Sequence, residues 1–366
     1  WMEFQRVGSH DDVVNDIAFD FYGKRFATCS SDKNIRVWDL KDAGQESSGE
    51  RYSCSEIPRA HQSAIWRLSW AHPEFGQLLA SCSEDRTTCI WEEQESIGGE
   101  YILKNRSANN SKQPGQRWQV KTTLSESTKS VNDVKFAPRH LGLKIATASA
   151  DGYVRMYDAP DVFSLNMWQL EESIQVEQTP SGAEASSATS TGASNKSEHG
   201  LTCLSWNACP FEPAKIAVGG YSMRAVVLTQ DTQTGVGGGG NKWREECVLG
   251  EHTGVVHDIA WAPAMGRSYH LIATASREAS FKVHTLKRLD EGKIEYTTTQ
   301  VVEAQGQSAI WRVAWNATGT VLATSSEDGA VALWRRDFQG DWKCVQEVVG
   351  AMPPVVPQQG SFVPAS

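Results

Sequence analysis

Apolar residues recur along this chain in short bursts and not in helical stripes. One six-residue pattern runs apolar-x-x-apolar-x-aromatic. It reads Val14-Asn15-Asp16-Ile17-Ala18-Phe19 and Ile65-Trp66-Arg67-Leu68-Ser69-Trp70, and it returns at 131–136, 201–206, 256–261 and 310–315. A second pattern follows each copy: Phe26-Ala27-Thr28-Cys29-Ser30, Leu79-Ala80-Ser81-Cys82-Ser83, then 145–149, 216–219, 272–276 and 322–326. A third ends on a large residue, as in Val37-Trp38-Asp39, Ile90-Trp91, Met156-Tyr157-Asp158, Val227-Leu228, Val283-His284 and Leu333-Trp334. Each burst is short, rich in β-branched and aromatic residues, and bounded by turn residues such as Ser31-Asp32 and Asp328-Gly329. Those features predict strands. No segment sustains a 3.6-residue period, so long helices are not expected.

Six copies of a three-part β-unit, several with tryptophan before aspartate, resemble WD-repeat propeller blades. His10, His61 and His252 stand just before the first strand of their units, where that family carries a Gly-His pair. The glycine is missing at all three. A propeller blade needs a fourth, outer strand, and candidates lie at 51–58, 117–125, 167–177, 242–250, 295–303 and 341–349. Four of them open near a tryptophan: Trp118, Trp168, Trp243 and Trp342. A blade packs on both faces, which explains why these strands do not alternate cleanly between polar and apolar.

Six blades account for every one of these strands, yet one more remains. Glu3, Phe4, Gln5, Arg6 and Val7 read as an outer strand ahead of the first blade, while the last blade already has its own. Unpaired strand edges are liabilities that proteins cover. The expected fold is therefore all-β, an open six-bladed WD-repeat β-propeller whose seventh blade is completed in trans by strand addition from another chain. Fraying of residues 3–7 at an edge is the alternative. Residues 1–350 form one propeller domain on this reading. Inserts near 94–116, 178–199 and 231–241, rich in Ser, Gly, Asn and Thr, are expected to be mobile loops between third and outer strands. The proline-rich stretch 351–366 is expected to be disordered.

One position of the inner strand is charged in most blades: Asp16, Arg67, Asp133, Cys203, Asp258 and Arg312 in order. A ligand-binding ring at the axis is one reading. Charge pairing between blades is the favoured one, because buried charges need partners. Catalysis finds little support. His72, His140 and His257 fall in different blades without a nucleophile frame. The carboxylate pairs Glu84-Asp85 and Glu327-Asp328 sit at turns that explain them. No glycine loop precedes a Lys-Ser/Thr for phosphate. No enzyme activity, cofactor or metal is expected.

Composition narrows the partners. The 366 residues carry 35 Lys+Arg against 44 Asp+Glu, a net charge of -9, which suits protein partners better than phosphate backbones. No apolar run is long enough to span a bilayer, and the first ten residues are too polar for a secretory signal. The eight cysteines contain no CxxC pair. Cys29, Cys82 and Cys203 lie in apolar strands and read as buried reduced thiols of a cytosolic or nuclear protein. The sequons at Asn105, Asn109, Asn195 and Asn316 then read as chance.

Several longer segments are more specific. Residues 19–32 (Phe-Asp-Phe-Tyr-Gly-Lys-Arg-Phe-Ala-Thr-Cys-Ser-Ser-Asp), 70–77, 134–143, 159–162 and 310–316 resemble the Seh nucleoporin family. The Sec-type propeller of COPII vesicle coats shares the Trp70-Ala71-His72-Pro73 stretch. Ala159-Pro160-Asp161-Val162 and Phe281-Lys282-Val283-His284-Thr285-Leu286 favour Seh. The resemblance implies a non-catalytic scaffold of the Y-shaped nuclear pore coat at the nuclear envelope. It implies a helical nucleoporin that supplies a blade in trans, contacts with other Y-complex subunits, and a surface comprising residues 4–7 and the exposed flanks of blades one and six. It also implies a second role in the SEA/GATOR complex of amino-acid signalling, at the vacuole or lysosome surface. A vesicle-coat propeller and a closed, peptide-reading WD module are the alternatives.

Overall fold

Strands Val14–Phe19, Arg25–Ser30, Ile35–Leu40 and Tyr52–Ile57 pair antiparallel in chain order and make blade one. Five further four-stranded sheets repeat that order, so the chain is a six-bladed propeller. This computed structural model describes residues 8, 10–41, 51–94, 96–97, 100–101, 117–161, 164–176, 200–231, 242–288, 294–303 and 308–349. Residues 1–7, the tail 350–366 and most of the three inserts lie outside them. All six outer strands expected from the sequence are present, from Tyr52–Ile57 in blade one to Trp342–Val349 in blade six. Among the described residues, helix is limited to two 3-10 turns, Pro73–Phe75 and Arg139–Leu141.

Two expectations about the inserts need correction. The stretch 178–199 does not separate a third strand from its outer strand. Blade three is already complete, with Gln169–Gln175 paired to Tyr153–Asp158, and the stretch links that outer strand to the inner strand of blade four, Leu201–Trp206. The stretch 94–116 does fall between third and outer strands, but it opens with a small hairpin in which Ser96–Ile97 pairs Glu100–Tyr101.

The core is laid down between blades. Ala27, Ala80, Ala146, Ala217 and Ala273 occupy one register position of the second strand and are fully buried in blades one to five. Small residues there let the sheets approach closely, and larger ones such as Ile90, Val227 and Val283 fill the next strand across. Cys29, Cys82 and Cys203 are buried free thiols, and burial raises the pKa of each. Histidine explains part of the repeat. His61 bonds Asp85 at 3.0 Å and Ser81 at 2.7 Å, and Trp91 donates its indole N–H to the same serine. His10 and His252 make the equivalent links to Asp32 and Thr28, and to Glu278 and Thr274. Burial, the largest single influence, would lower the His61 pKa, but Asp85 and Cys89 together outweigh it and raise it to about 9.

Candidate functional site

Every inner strand carries the same irregularity. Between its first and third residues the register to the second strand slips by one, at Val14/Asp16, Ile65/Arg67, Val131/Asp133, Leu201/Cys203, Val256/Asp258 and Ile310/Arg312. Such a bulge re-aims side chains. It turns the six residues that follow it into the charged ring foreseen from sequence, and the six bulged residues into the lining of an axial cup.

The ring pairs across the axis. Arg67 Nη2 donates to Asp258 Oδ1 at 2.9 Å, and Arg67 lies 4.0 Å from both Asp16 and Asp133. Burial alone would lower the Arg67 pKa, but these carboxylates outweigh it and hold it above the ordinary value. Burial raises the Asp258 pKa, opposed by Arg67. The aspartates also join blades: Leu68 N donates to Asp16, Leu204 N to Asp133 and Val313 N to Asp258, at 2.9, 2.9 and 3.0 Å. The pairing reading of the ring therefore holds, and its members are positioned by the bulges.

Those three bonds all cross from an odd blade to the next even one. At the same seams Trp70, Trp206 and Trp315 give their indole N–H to the carbonyls of Ala18, Lys135 and Ala260. The even-to-odd seams use another device. Phe136 N donates to Ser69 Oγ at 3.0 Å, and Trp261 N to Ser205 Oγ at 2.9 Å. The remaining seam, from blade six to blade one, would follow the same rule with Phe19 N as donor. Blade six has Ala314 where blades two and four have serine, so the acceptor is missing. Arg312 bridges this seam near the axis, donating to the Asn15 carbonyl at 2.7 Å and lying 3.8 Å from Asp16.

Burial follows the chemistry. Ile17 is 53% exposed, while its counterparts Leu68, Val134, Leu204, Ile259 and Val313 are 5% exposed or less. Val14 is 49% exposed, against 1% or less for Ile65, Val131, Leu201, Val256 and Ile310. Phe19 is exposed beside them. On the opposite flank Ala314 and Val331 are exposed, and Ala323, Ser325 and Leu333 are only half-buried. Their counterparts in the second and third strands of blades one to five are buried. Two apolar sheet faces thus look into an unfilled gap. Burying one such aliphatic or aromatic side chain is worth about 1.5–3 kcal/mol, so the gap holds considerable unused binding free energy.

Glu3, Phe4, Gln5, Arg6 and Val7, expected as the partner-binding edge, lie outside the described residues. The flanks of blades one and six, expected with them, are the exposed faces. Sequence reasoning missed the Ser69/Ser205/Ala314 difference, which was open to inspection, and the exposed stripe Val14-Ile17-Phe19, which was not. The turn carboxylates act as turn and packing groups: Asp85 accepts from Gln62 N and Glu84 from Ser63 Oγ. Among the described residues no cluster of His, Cys, Asp and Glu suits a metal ion, and no helix is long and apolar enough to cross a membrane.

Comparison with known proteins fits this geometry. The WD domain, G-beta repeat family matches residues 3–39, 52–92, 118–158 and 297–335. Nucleoporin SEH1 of Danio rerio is 39% identical over 363 residues, covering 95% of this chain and 88% of that protein. Nucleoporin SEH1 of Homo sapiens is 38% identical over 371 residues, covering 98% and 92%. Nucleoporin SEH1-A of Xenopus laevis is 38% identical over 359 residues, covering 95% and 89%.

Proposed function

This chain belongs to the SEH1 family of WD-repeat nucleoporins, and we propose from that premise that its open seam receives a β-blade from another protein. The coarse role is that of a nuclear pore scaffold subunit. The finer reading is a non-catalytic adaptor in the Y-shaped coat. A helical nucleoporin inserts three strands between blades six and one, and residues 3–7 complete the seventh blade as its outer strand.

The observation that carries this reading is the exposure of Ile17 at a position buried in every other blade. The repeat alignment supports it. Matches beginning at 52 and 118 start on an outer strand, as Tyr52–Ile57 and Trp118–Leu124 do, and the match at 297 starts within Ile294–Glu303. The first match begins at residue 3, which supports reading residues 3–7 as an outer strand. Strand addition satisfies backbone groups at a sheet edge and fills side-chain pockets on its face, which is the chemistry the gap lacks. Further Y-complex contacts, and a second role with SEA/GATOR subunits at the vacuolar or lysosomal surface, extend the same adaptor function.

Affinity purification from native extract with mass spectrometry tests the reading, using the full chain, a chain lacking residues 1–7, and an Ile17→Asp variant. Recovery of helical Y-complex nucleoporins by the full chain, weakened by the deletion and lost with Ile17→Asp, is expected. Recovery of vesicle-coat subunits instead, or indifference to both changes, would overturn it.

A further inference from the structure

The two seam devices follow a rule carried by two residues. The residue before the final aromatic of each inner strand is Ala18, Ser69, Lys135, Ser205, Ala260 and Ala314 in blade order. Where it is serine, its Oγ accepts the backbone N–H of the next blade's aromatic, Phe136 or Trp261. Where it is not, its backbone carbonyl accepts an indole N–H, and the next blade supplies tryptophan. Trp70 serves Ala18 at 3.0 Å, Trp206 serves Lys135 at 3.3 Å and Trp315 serves Ala260 at 3.0 Å. An aromatic that follows a serine need not be tryptophan. Phe136 has no indole, and Trp261 turns its own toward His270 within its blade.

Blades six and one break the rule together. Ala314 offers only its carbonyl, so it requires tryptophan in the blade that follows. Blade one brings Phe19, whose ring carries no N–H, so it requires an acceptor side chain in the blade that precedes it. Neither serves the other. One kind of strand meets both needs, and the chain contains it twice. Ser69-Trp70 in blade two and Ser205-Trp206 in blade four each give an indole N–H to a non-serine predecessor and a hydroxyl to the blade that follows. The apolar residue ahead of each pair, Leu68 or Leu204, is buried.

We propose that the inserted blade is selected by the end of its inner strand: an apolar residue, a short side chain with an acceptor oxygen (serine, threonine or aspartate), then tryptophan. The indole N–H donates to the Ala314 carbonyl, and the acceptor oxygen receives the Phe19 N–H. Aspartate qualifies because Asp16, Asp133 and Asp258 already accept inner-strand N–H groups across seams. A blade with phenylalanine in place of the tryptophan leaves the Ala314 carbonyl unpaired, and one with alanine before it leaves the Phe19 N–H unpaired. The inference rests on the reading that the seam accepts a blade, and it names the residues that blade must carry.

Photocrosslinking in native extract tests it, with p-benzoylphenylalanine in place of Phe19 in the full chain, a change that keeps the backbone N–H. Mass mapping is expected to place the adduct on a strand of another protein that ends in the acceptor and tryptophan pair. In that partner, replacing the tryptophan by phenylalanine should raise the Kd between the purified proteins about fivefold. Ala314→Ser in this chain should recover most of that loss, because serine followed by phenylalanine is the pairing of Ser69 with Phe136. Lost packing alone would not be rescued. An adduct on an inner strand without tryptophan, or no rescue by Ala314→Ser, would overturn the inference and leave the open seam standing. Absence of any adduct with another chain would overturn the seam reading itself, and the inference with it.

Discussion

The seam between blades four and five is packed shut, while the seam between blades six and one keeps the same strand pattern on each side but leaves the two faces apart and lacks one acceptor hydroxyl. At the first, Ser205 Oγ receives the Trp261 N–H, and Ile259 is buried against blade four. At the second, Ala314 offers nothing to Phe19, and Ile17 is left half in water. A repeat fold is held by nearest-neighbour interfaces, so each seam carries its own stability. Five seams are built to be permanent. The sixth keeps the apolar faces and omits the bond, which is how an interface reserved for another chain should look.

The sharpest way to break that contrast is at the axis. Arg67→Leu removes the cation shared by Asp16, Asp133 and Asp258 and should cost about 3–5 kcal/mol, because it strands buried carboxylates. Arg312→Leu, at the open seam, should cost less than about 1 kcal/mol, since Arg312 is only partly buried and lies 3.8 Å from its carboxylate. Urea denaturation measures both. Equal costs would mean that the sixth seam is as closed as the others.

Aliphatic truncation sharpens the same point. Leu68→Ala should destabilise by about 2–5 kcal/mol through lost burial and a cavity. Ile17→Ala at the matching position should cost less than about 1 kcal/mol in the isolated chain. Once a partner blade is bound, the Ile17 cost should rise toward that of Leu68, which denaturation of the complex would show. Smaller still is the hydroxyl itself. Ser205→Ala should cost about 1 kcal/mol, leaving the Trp261 N–H unpaired. Ala314→Ser should change stability by no more than about 0.5 kcal/mol. Stabilisation comparable to the Ser205 loss would show that Phe19 already lies against blade six.

A separate set of effects should come from pH, and they act on the permanent blades. Burial pushes the Glu278 carboxyl up, but bonds from Thr253, Ser280 and His252 outweigh it and hold the pKa at about 2. Its contribution is complete above the ordinary value of 4.5 and is lost as pH falls toward 2. The His61 pKa is raised from 6.5 to about 9, so its contribution is complete below 6.5 and is lost as pH rises through 9. Melting temperatures should therefore fall at both ends. Glu278→Gln should flatten the acid limb, and His61→Gln the alkaline one. Blade six has no such histidine, since Trp334 bonds Thr324 without one, so its own network should add no slope at the alkaline end.

Much of this was legible in the residues. The six inner, second and third strands follow from the repeated bursts, and the outer strands were marked by Trp118, Trp243 and Trp342, which are all buried. The ring was legible because buried charges of opposite sign at one repeat position must meet. The place of 178–199 was not, since loop composition says nothing about which strands a loop joins. The axial cup was hidden for a similar reason. A bulge is a slip of register, and no residue pattern in Asn15, Trp66, Asn132, Thr202, His257 and Trp311 announces it. The seam lay between these cases: Ala314 was visible beside Ser69 and Ser205, but its meaning required knowing which N–H approaches.

The central claim is that Ile17 faces a gap that another chain fills. Its most direct test replaces Ile17 with cysteine, replaces Leu68 with cysteine in a parallel variant, and follows maleimide labelling at each site by peptide mass mapping. Both are measured in the free chain and in the complex purified from extract. The account predicts fast labelling at position 17 in the free chain, strong protection there in the complex, and slow labelling at position 68 throughout. Slow labelling at position 17 in the free chain, or undiminished labelling in the complex, would contradict it.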